Sequence, residues 1–383
     1  MLGEVSTTRW PKGWHLLAAC ALVAALILQI RPIRVAAQAL LLLPAVIQSA
    51  PIDPLGQFGA RPTRTEHAFE YSAGTVAADI YHPGTGGRHG GVVLQLGARL
   101  VRRDPVLERF AEGLARSGVV VLVPESSNLL AGRVLGEERD AIRRAYELLL
   151  SQPDGDAART GLVGFSVGGA LCIVAAAQAE LRDRVPFVYS FGGYYDASQL
   201  MVDVGSRSVE VEGHVVPWDP SALTLAVMAQ QIVETLPDAH DQALLTRFYL
   251  SHEAVEDGEW TELSPTGQGV RELLAGTTRE RARSLVRDLP ASGRERLATI
   301  SPSTYLPDLR TRLYLMHDTG DTFIPFTHTR ELAANAPLGV LKRYSEFSIF
   351  QHVYPDRPVP WQTFLPDLWA LYWFSHAVLL ELL

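Results

Sequence analysis

The stretch GLVGFSVGGALC, residues 161–172, decides the fold of this chain. An apolar segment runs up to Phe165, one serine stands between Gly164 and Gly168, and a second apolar segment follows. By composition alone, the pattern Gly-x-Ser-x-Gly arises in about one chain in ten of this length. Its position between a predicted strand and a predicted helix is typical of a nucleophile elbow, a strained turn that lifts a serine above a sheet. We therefore interpret Ser166 as a candidate nucleophile; the alternative is a plain turn in which Ser166 caps the helix.

Strand-like and helix-like segments alternate along most of the chain. Continuous apolar runs such as GGVVLQLG (90–97) are typical of buried parallel strands, whereas 104–118 repeats apolar residues at helical spacing. Segments 67–73 and 75–83, separated by a glycine-containing turn, predict an antiparallel pair. The pattern predicts an α/β fold with a mostly parallel central sheet flanked by helices. Further predicted strands are 119–124, 160–165, 186–193, 311–317 and 341–347, and further predicted helices are 137–150, 327–336 and 367–383.

The alternation stops in the middle of the chain. Residues 203–300 contain helix-like segments and many charges but no clear strand. A chain of 383 residues is also longer than one hydrophobic core usually needs. We predict an apolar N-terminal segment, a core in two parts and a helical cap insertion between those parts, with boundaries 1–64, 65–202, 203–300 and 301–383.

A candidate acid lies in the loop HDTGDTFIPF (317–326), which follows a predicted strand. Ligands and catalytic groups of open parallel sheets collect at the carboxyl ends of the strands. A serine hydroxyl needs a base, and the base needs an orienting acid. Asp321 is favoured over Asp318 because it sits deeper in the loop, before the apolar Phe-Ile-Pro step.

Most of the eleven histidines are in the wrong place to serve that acid. His352 stands in the loop after the last predicted strand, at the same edge as Ser166 and Asp321, and is therefore the candidate base. The alternative for His352 is a loop histidine bonded to backbone. His328 is the second candidate, but its position one turn into a helix suggests a surface residue.

An oxyanion formed at Ser166 needs two N–H donors. Val167, at the start of the helix after the serine, is expected to supply one. The loop after strand 90–97 is expected to supply the other, because Gly97 permits a tight turn and Ala98 or Arg99 then offers an N–H.

The order Ser166, Asp321, His352 resembles the α/β-hydrolase superfamily, where nucleophile, acid and histidine follow one another along the chain. The motifs GFSVGG and HDTGDTFIP, with a histidine before a turn, look like its dienelactone-hydrolase and prolyl-oligopeptidase branch. The resemblance covers roughly 65–200 and 300–383 and implies the α/β-hydrolase fold and a serine hydrolase. Asp196 occupies an alternative acid position of that superfamily.

The chain also departs from this branch. Dienelactone hydrolases typically have a cysteine nucleophile, are soluble and lack a large cap, and oligopeptidases carry a β-propeller. These differences leave the substrate open. The expected activity is hydrolysis of carboxylic esters through an acyl-enzyme, and the expected partner is a small acyl or ester substrate. The alternatives are a peptidase or amidase with the same triad, and a non-catalytic binding protein of the same fold.

Composition excludes several other classes of function. The formal net charge of −8 and the absence of long charge blocks argue against a nucleic-acid partner. The two cysteines, Cys20 and Cys172, form no CxxC pair and read as buried apolar residues. The sequence predicts neither a metal nor an organic cofactor, and it does not indicate an oligomeric state.

Two uncharged runs, 14–30 and 35–50, flank the sequence RPIR (31–34). Each is slightly short of the roughly 20 residues of a spanning helix. The readings are a signal-anchor with the second run at the membrane surface, a membrane hairpin turning at Pro32, or a signal peptide cleaved after AQA (37–39). A fourth is a pair of helices packed on the domain. We expect membrane attachment through a transmembrane or anchor helix, with the orientation open.

Overall fold

The computed structural model describes residues 30–47, 52–350, 352 and 359–383. Its strands are β1 (Thr63–Tyr71), β2 (Gly74–His82), β3 (His89–Gln95), β4 (Val120–Ser126), β5 (Gly155–Phe165), β6 (Phe187–Phe191), β7 (Ser208–Val211), β8 (His214–Pro217), β9 (Arg312–Asp318) and β10 (Leu341–Phe347). Eight of them form one sheet in the order β1-β2-β4-β3-β5-β6-β9-β10. Within that sheet β2 is antiparallel to β1 and β4, and the other neighbours are parallel.

The central strands are valine- and leucine-rich because both faces of the sheet are covered. Along β3, Val92 packs into the hydrophobic cluster on one face and Val93 into the cluster on the other, as the two-residue repeat of a strand requires. The predicted mostly parallel sheet, flanked by helices, is confirmed. The predicted antiparallel pair is also confirmed, as β1 and β2.

The helices form a layer on each face of the sheet. Residues of α1, α3 and α15 pack with Val92 on one face, whereas residues of α5 and α6 pack with Val93 on the other. The helices outside the central insertion are α1 (Arg31–Val46), α2 (Pro54–Phe58), α3 (Pro105–Arg116), α4 (Ser127–Leu130), α5 (Glu138–Leu150), α6 (Val167–Ala176), α14 (Phe326–Asn335) and α15 (Trp361–Leu382). The terminal helix α15 begins at Trp361, six residues before the start of the predicted helix 367–383.

The segment between β6 and β9 is an insertion that lies against the core. Its helices are α7 (Ala197–Ser206), α8 (Ala222–Val233), α9 (Ala239–Tyr249), α10 (Pro265–Ala275), α11 (Arg279–Arg287), α12 (Ala291–Ile300) and α13 (Pro302–Tyr305). It also contains the antiparallel hairpin β7–β8. The expectation of helices alone in 203–300 was therefore wrong, because the four-residue strands are too short for a recognisable alternation.

The second apolar run of the N-terminus folds onto the domain. Helix α1 buries Val35, Ala39 and Leu42 in the same cluster as α3 and α15. This packing corrects the membrane-hairpin reading for residues 31–46. No helix in the described ranges combines the length and hydropathy needed to cross a membrane, so the expected transmembrane helix is not found there. The first run, up to residue 29, and Cys20 lie outside the described residues.

Candidate active site

Ser166 occupies a strained turn between β5 and α6. Its backbone has φ 56° and ψ −132°, a combination that residues other than glycine rarely adopt. The turn is tight: a Cβ on Gly164 would lie 2.4 Å from the carbonyl oxygen of Gly168, and a Cβ on Gly168 would lie 2.5 Å from that of Leu96. The Ser166 N–H donates to the Phe191 carbonyl over 2.7 Å, which ties the turn to β6. The side chain makes no helix-capping bond, contrary to the plain-turn alternative.

Asp321 lies in the loop that follows β9 and is almost fully buried. Its Oδ1 accepts the backbone N–H groups of Phe323 (2.6 Å) and Ile324 (3.1 Å). Its Oδ2 lies 2.6 Å from His352 Nδ1 and 3.2 Å from His317 Nε2. Burial alone would raise the pKa of this carboxyl, but the two histidines outweigh burial and hold the pKa of Asp321 well below its ordinary value. Asp321 is therefore an anion at neutral pH.

His352 follows β10 and is buried with 5% of its surface exposed. Its ring is stacked on Phe323, with centroids 4.5 Å apart and 20° between the planes. Because Oδ2 of Asp321 is an acceptor, the neutral imidazole carries its proton on Nδ1. The Nε2 lone pair is then available to accept a proton from another group.

Ser166 and His352 line one cavity of about 280 Å³. Among the described residues no hydrogen bond joins Ser166 Oγ to the His352 ring. Nucleophile–base pairs are often longer without substrate and tighten when it binds. The structure thus brings all three predicted residues to one edge of the sheet, with Asp321 bonded to His352 and with His352 and Ser166 in the same cavity.

Most of the other described residues that line the cavity are apolar. The loop after β3 contributes Leu100, and the insertion contributes Leu200 from α7 and Leu223, Val227 and Met228 from α8. Among the described residues that line this cavity there is no Asp, Glu, Lys or Arg. The insertion therefore covers the candidate site with aliphatic side chains.

The other polar side chains of the cavity already have partners. Tyr194 donates its hydroxyl to the Ile300 carbonyl over 3.0 Å, and Thr224 donates to the Phe323 carbonyl over 3.0 Å. Gln231 donates to the carbonyls of Gly132 and Val227 and accepts the N–H of Val134. Among the described lining residues, Ser166 is consequently the hydroxyl whose O–H has no acceptor, and His352 keeps its Nε2 for a ligand.

The predicted oxyanion donors lie beside Ser166. Ala98 and Val167 both line the cavity, and a Cβ on Gly97 would lie 3.3 Å from Ser166 Oγ. Among the described residues neither Ala98 nor Val167 has an acceptor for its N–H, as expected for the first residue of a helix in the case of Val167. The N–H of Arg99 instead donates to the Leu129 carbonyl over 2.8 Å. Arg99 is thereby removed as the second donor, which leaves Ala98.

His317 is the site residue that sequence reasoning missed. It is fully buried, and its Nε2 lies 2.8 Å from the Ile324 carbonyl and 3.2 Å from Asp321. His317 thus braces both the acid and the loop that carries it. The available signal was its place at the end of β9, directly before the acidic loop.

The remaining candidates have other roles. Asp196 caps helix α7, where it accepts the N–H groups of Ser198 and Gln199. Asp318 accepts the N–H of Gly320 (2.7 Å) and of Phe350 (2.9 Å), so it links the β9 and β10 loops. His328 is fully buried rather than exposed, and its Nε2 lies 3.1 Å from Asp203. The prediction that His328 is a surface residue was wrong, because the buried carboxylate of Asp203 in α7 pairs with its ring.

Strand order and the serine turn together identify the fold. The parallel sheet carries one antiparallel strand, β2, near its edge, and the central strand β5 leads through the Ser166 turn into α6. The chain has the α/β-hydrolase fold. The predicted fold class is thereby confirmed.

Solved structures with which this α/β-hydrolase fold aligns include the following three proteins. A 2,6-dihydroxy-pseudo-oxynicotine hydrolase aligns at TM-score 0.45 and 14% identity over 83% of this chain and 68% of its own. The acylaminoacyl peptidase of Pyrococcus horikoshii aligns at TM-score 0.48 and 15% sequence identity, over 84% of this chain and 43% of its own. Est1E from Butyrivibrio proteoclasticus aligns at TM-score 0.44 and 11% sequence identity, over 82% of this chain and 98% of its own. This chain spans less than half of the peptidase. No family model matches the chain, and no curated protein matches it.

In the described part of the chain no group of three or more His, Cys, Asp or Glu side chains could hold a metal ion. Cys172 is buried in α6, and burial raises the pKa of its thiol above its ordinary value. It contributes to packing rather than to the candidate site.

Proposed function

We propose that this protein is a serine hydrolase that cleaves carboxylic esters with uncharged, apolar acyl groups. The observation that carries the proposal is one apolar cavity lined by Ser166, in a strained turn, and by His352, whose other ring nitrogen is bonded to Asp321. Each residue type has a defined part in acyl transfer.

In the proposed reaction, Ser166 Oγ attacks the ester carbonyl while His352 Nε2 takes the hydroxyl proton. The Asp321 carboxylate holds the imidazole by Nδ1–H and stabilises the imidazolium that forms. Collapse of the tetrahedral intermediate breaks the bond to the alkoxy group, which leaves as an alcohol with the proton from His352. Water then attacks the acyl-Ser166 ester while His352 takes its proton; the bond to Ser166 Oγ breaks, His352 returns the proton to Oγ, and the carboxylic acid is released.

The N–H groups of Val167 and Ala98 are proposed to bind the oxyanion. Both adjoin Ser166 and have no acceptor among the described residues. The positive end of the α6 dipole, at Val167, favours the negative charge that develops there. Water is the only co-reactant that this reaction requires.

The lining of the cavity supports an ester with an apolar acyl part over a peptide. A peptide would bring additional N–H and C=O groups into the cavity, and each would lose its hydration. The polar side chains there, Tyr194, Thr224 and Gln231, are already bonded to the protein. Unpaired buried amide groups cost about 1–3 kcal/mol each. An aliphatic acyl chain has no such cost.

Covalent labelling tests the nucleophile directly. A fluorophosphonate probe should label the wild-type protein, and Ser166→Ala and His352→Ala should abolish labelling. Ser151→Ala is the matched control, because Ser151 precedes β5 at its other end. Folded wild-type protein that stays unlabelled would instead support a binding protein without catalysis.

Turnover then separates the two enzyme classes. Chromogenic esters of increasing acyl length should be hydrolysed with kcat/KM rising as the chain fills the cavity, and anionic acyl groups should be poor substrates. Faster cleavage of matched amides than of esters would assign the protein to the peptidases or amidases.

A further inference from the structure

Helices α1 and α15 pack side by side on one face of the sheet. They share a hydrophobic cluster, to which α1 contributes Val35 and α15 contributes Leu371 and Phe374. The guanidinium of Arg31 donates to the Leu380 carbonyl over 2.8 Å, which links the start of α1 to the end of α15. The inner sides of both helices are therefore occupied by the core.

The outer sides of these helices carry large apolar residues. On α15 Trp361, Leu365, Trp369 and Trp373 follow one another at four-residue intervals and form one stripe. Trp361 is 68% exposed and Trp369 is 62% exposed. On α1 the exposed apolar side chains include Ile33 and Leu40. We call these six residues the tryptophan face.

The two helices add no unpaired acid to the tryptophan face. Asp367 accepts the N–H of Ser348 over 2.7 Å, and Glu381 is paired with Arg312 at 2.6 Å, so both acids of α15 have partners in the core. Helix α1 contains two arginines, Arg31 and Arg34, and no acid. Helix α1 therefore brings positive charge and no negative charge to this side of the domain.

An uncharged apolar sequence precedes α1 directly. Helix α1 starts directly after the uncharged run 14–30, so a second apolar segment is attached at the edge of the tryptophan face. Exposed apolar patches mark binding surfaces. Tryptophan is enriched where lipid meets water, and arginine beside an apolar helix face favours anionic lipid.

We propose that the tryptophan face docks on the surface of a bilayer that contains anionic lipid. The indole rings of Trp361, Trp369 and Trp373 enter the interface, and Arg31 and Arg34 face the headgroups. Helix α15 lies along the surface and does not cross it. This proposal does not depend on the proposed hydrolase activity.

Quenching by brominated lipid tests the proposal in the full chain. Trp10→Phe and Trp14→Phe first remove the indoles of the N-terminal segment. The remaining tryptophans are then the three of the tryptophan face, together with Trp218 and Trp260. Vesicles of phosphatidylcholine and phosphatidylglycerol with brominated acyl chains should quench this protein. Adding Trp361→Phe, Trp369→Phe and Trp373→Phe should abolish the quenching, whereas Trp260→Phe, in the insertion, should leave it unchanged.

Three outcomes would overturn the proposal. Equal quenching with and without the three indoles would mean that another surface contacts the lipid. Binding to vesicles without any quenching would mean that the N-terminal segment attaches alone. A stable dimer whose tryptophan face is inaccessible to lipid and to aqueous quencher would make a second copy of the chain the occupant.

Discussion

At the scale of single residues, the Asp321 carboxylate contacts both the backbone of its own loop and the candidate base. Oδ1 of Asp321 accepts two backbone N–H groups, and Oδ2 meets His352 and His317. The two backbone hydrogen bonds to Oδ1 fix the carboxylate in its loop. The fixed Oδ2 then orients the imidazole of His352 through Nδ1. The stack with Phe323 holds the ring plane as well. The orientation of the candidate base is therefore set by neighbours and not by the base itself.

We expect Asp321→Asn to lower kcat by about 10⁴-fold, because an amide neither stabilises an imidazolium nor holds the required tautomer. The measurement is ester turnover at saturating substrate. Asp196→Asn is the control, since asparagine still caps α7. A large loss in Asp196→Asn with a small loss in Asp321→Asn would transfer the role of the acid to Asp196.

At the scale of elements, the elbow depends on the close approach of α6 to the strands beneath it. A Cβ on Gly168 would lie 2.5 Å from the Leu96 carbonyl and 2.6 Å from that of Gln95. We expect Gly168→Ala to destabilise the protein by about 1–3 kcal/mol, typical of overpacking, and to displace Ser166. Thermal unfolding and fluorophosphonate labelling measure the two effects. Gly86→Ala is the control, because a Cβ there meets nothing within 4 Å. Equal melting temperatures for both variants would contradict the packing argument.

The insertion is a second element that shapes the site. The Trp218 indole donates to the Asp321 carbonyl over 2.9 Å, and the Ser221 N–H donates to the Thr322 carbonyl over 2.8 Å. The start of α8 is therefore bonded to the loop that carries the acid. Because these bonds join residues distant in sequence, the insertion sets both the cavity lining and the position of the acid.

Much of the fold could be predicted because its strands and the serine turn produce recognisable patterns of apolar residues and glycines in short stretches of sequence. The apolar runs of β3 and β4, and the glycines around Ser166, directly reflect burial and a tight turn. The edge shared by Ser166, Asp321 and His352 follows from the parallel topology. Burial of His328 against Asp203 and the second bond from His317 to Asp321 depend on long-range packing. No spacing in the sequence encodes such contacts.

At the scale of the whole molecule, one buried carboxyl couples global stability to pH. Glu138 at the start of α5 is fully buried, and burial raises its pKa from 4.5 to about 7, although hydrogen bonds from Tyr71 and Ser126 oppose this. Both hydroxyls donate to Oε1, at 2.5 Å and 2.9 Å. Oε2 has no partner among the described residues. The cluster joins β1, β4 and α5, so its charge state affects the whole core.

The sign of this coupling follows from proton binding. Between pH 4.5 and about 7 the folded state holds a proton on Glu138 that the unfolded state releases, so stability falls as pH rises through this window. The full penalty, on the order of 3 kcal/mol from the difference in pKa, applies above it. Glu138→Gln mimics the protonated form, since its oxygen accepts the same two hydroxyls. We expect the variant to gain stability over wild type as pH rises from 5 to 8, measured by urea unfolding. Glu180→Gln, at an exposed position outside this cluster, should parallel wild type. Parallel curves for Glu138→Gln and wild type would show that Glu138 is ionised in the folded protein across this range.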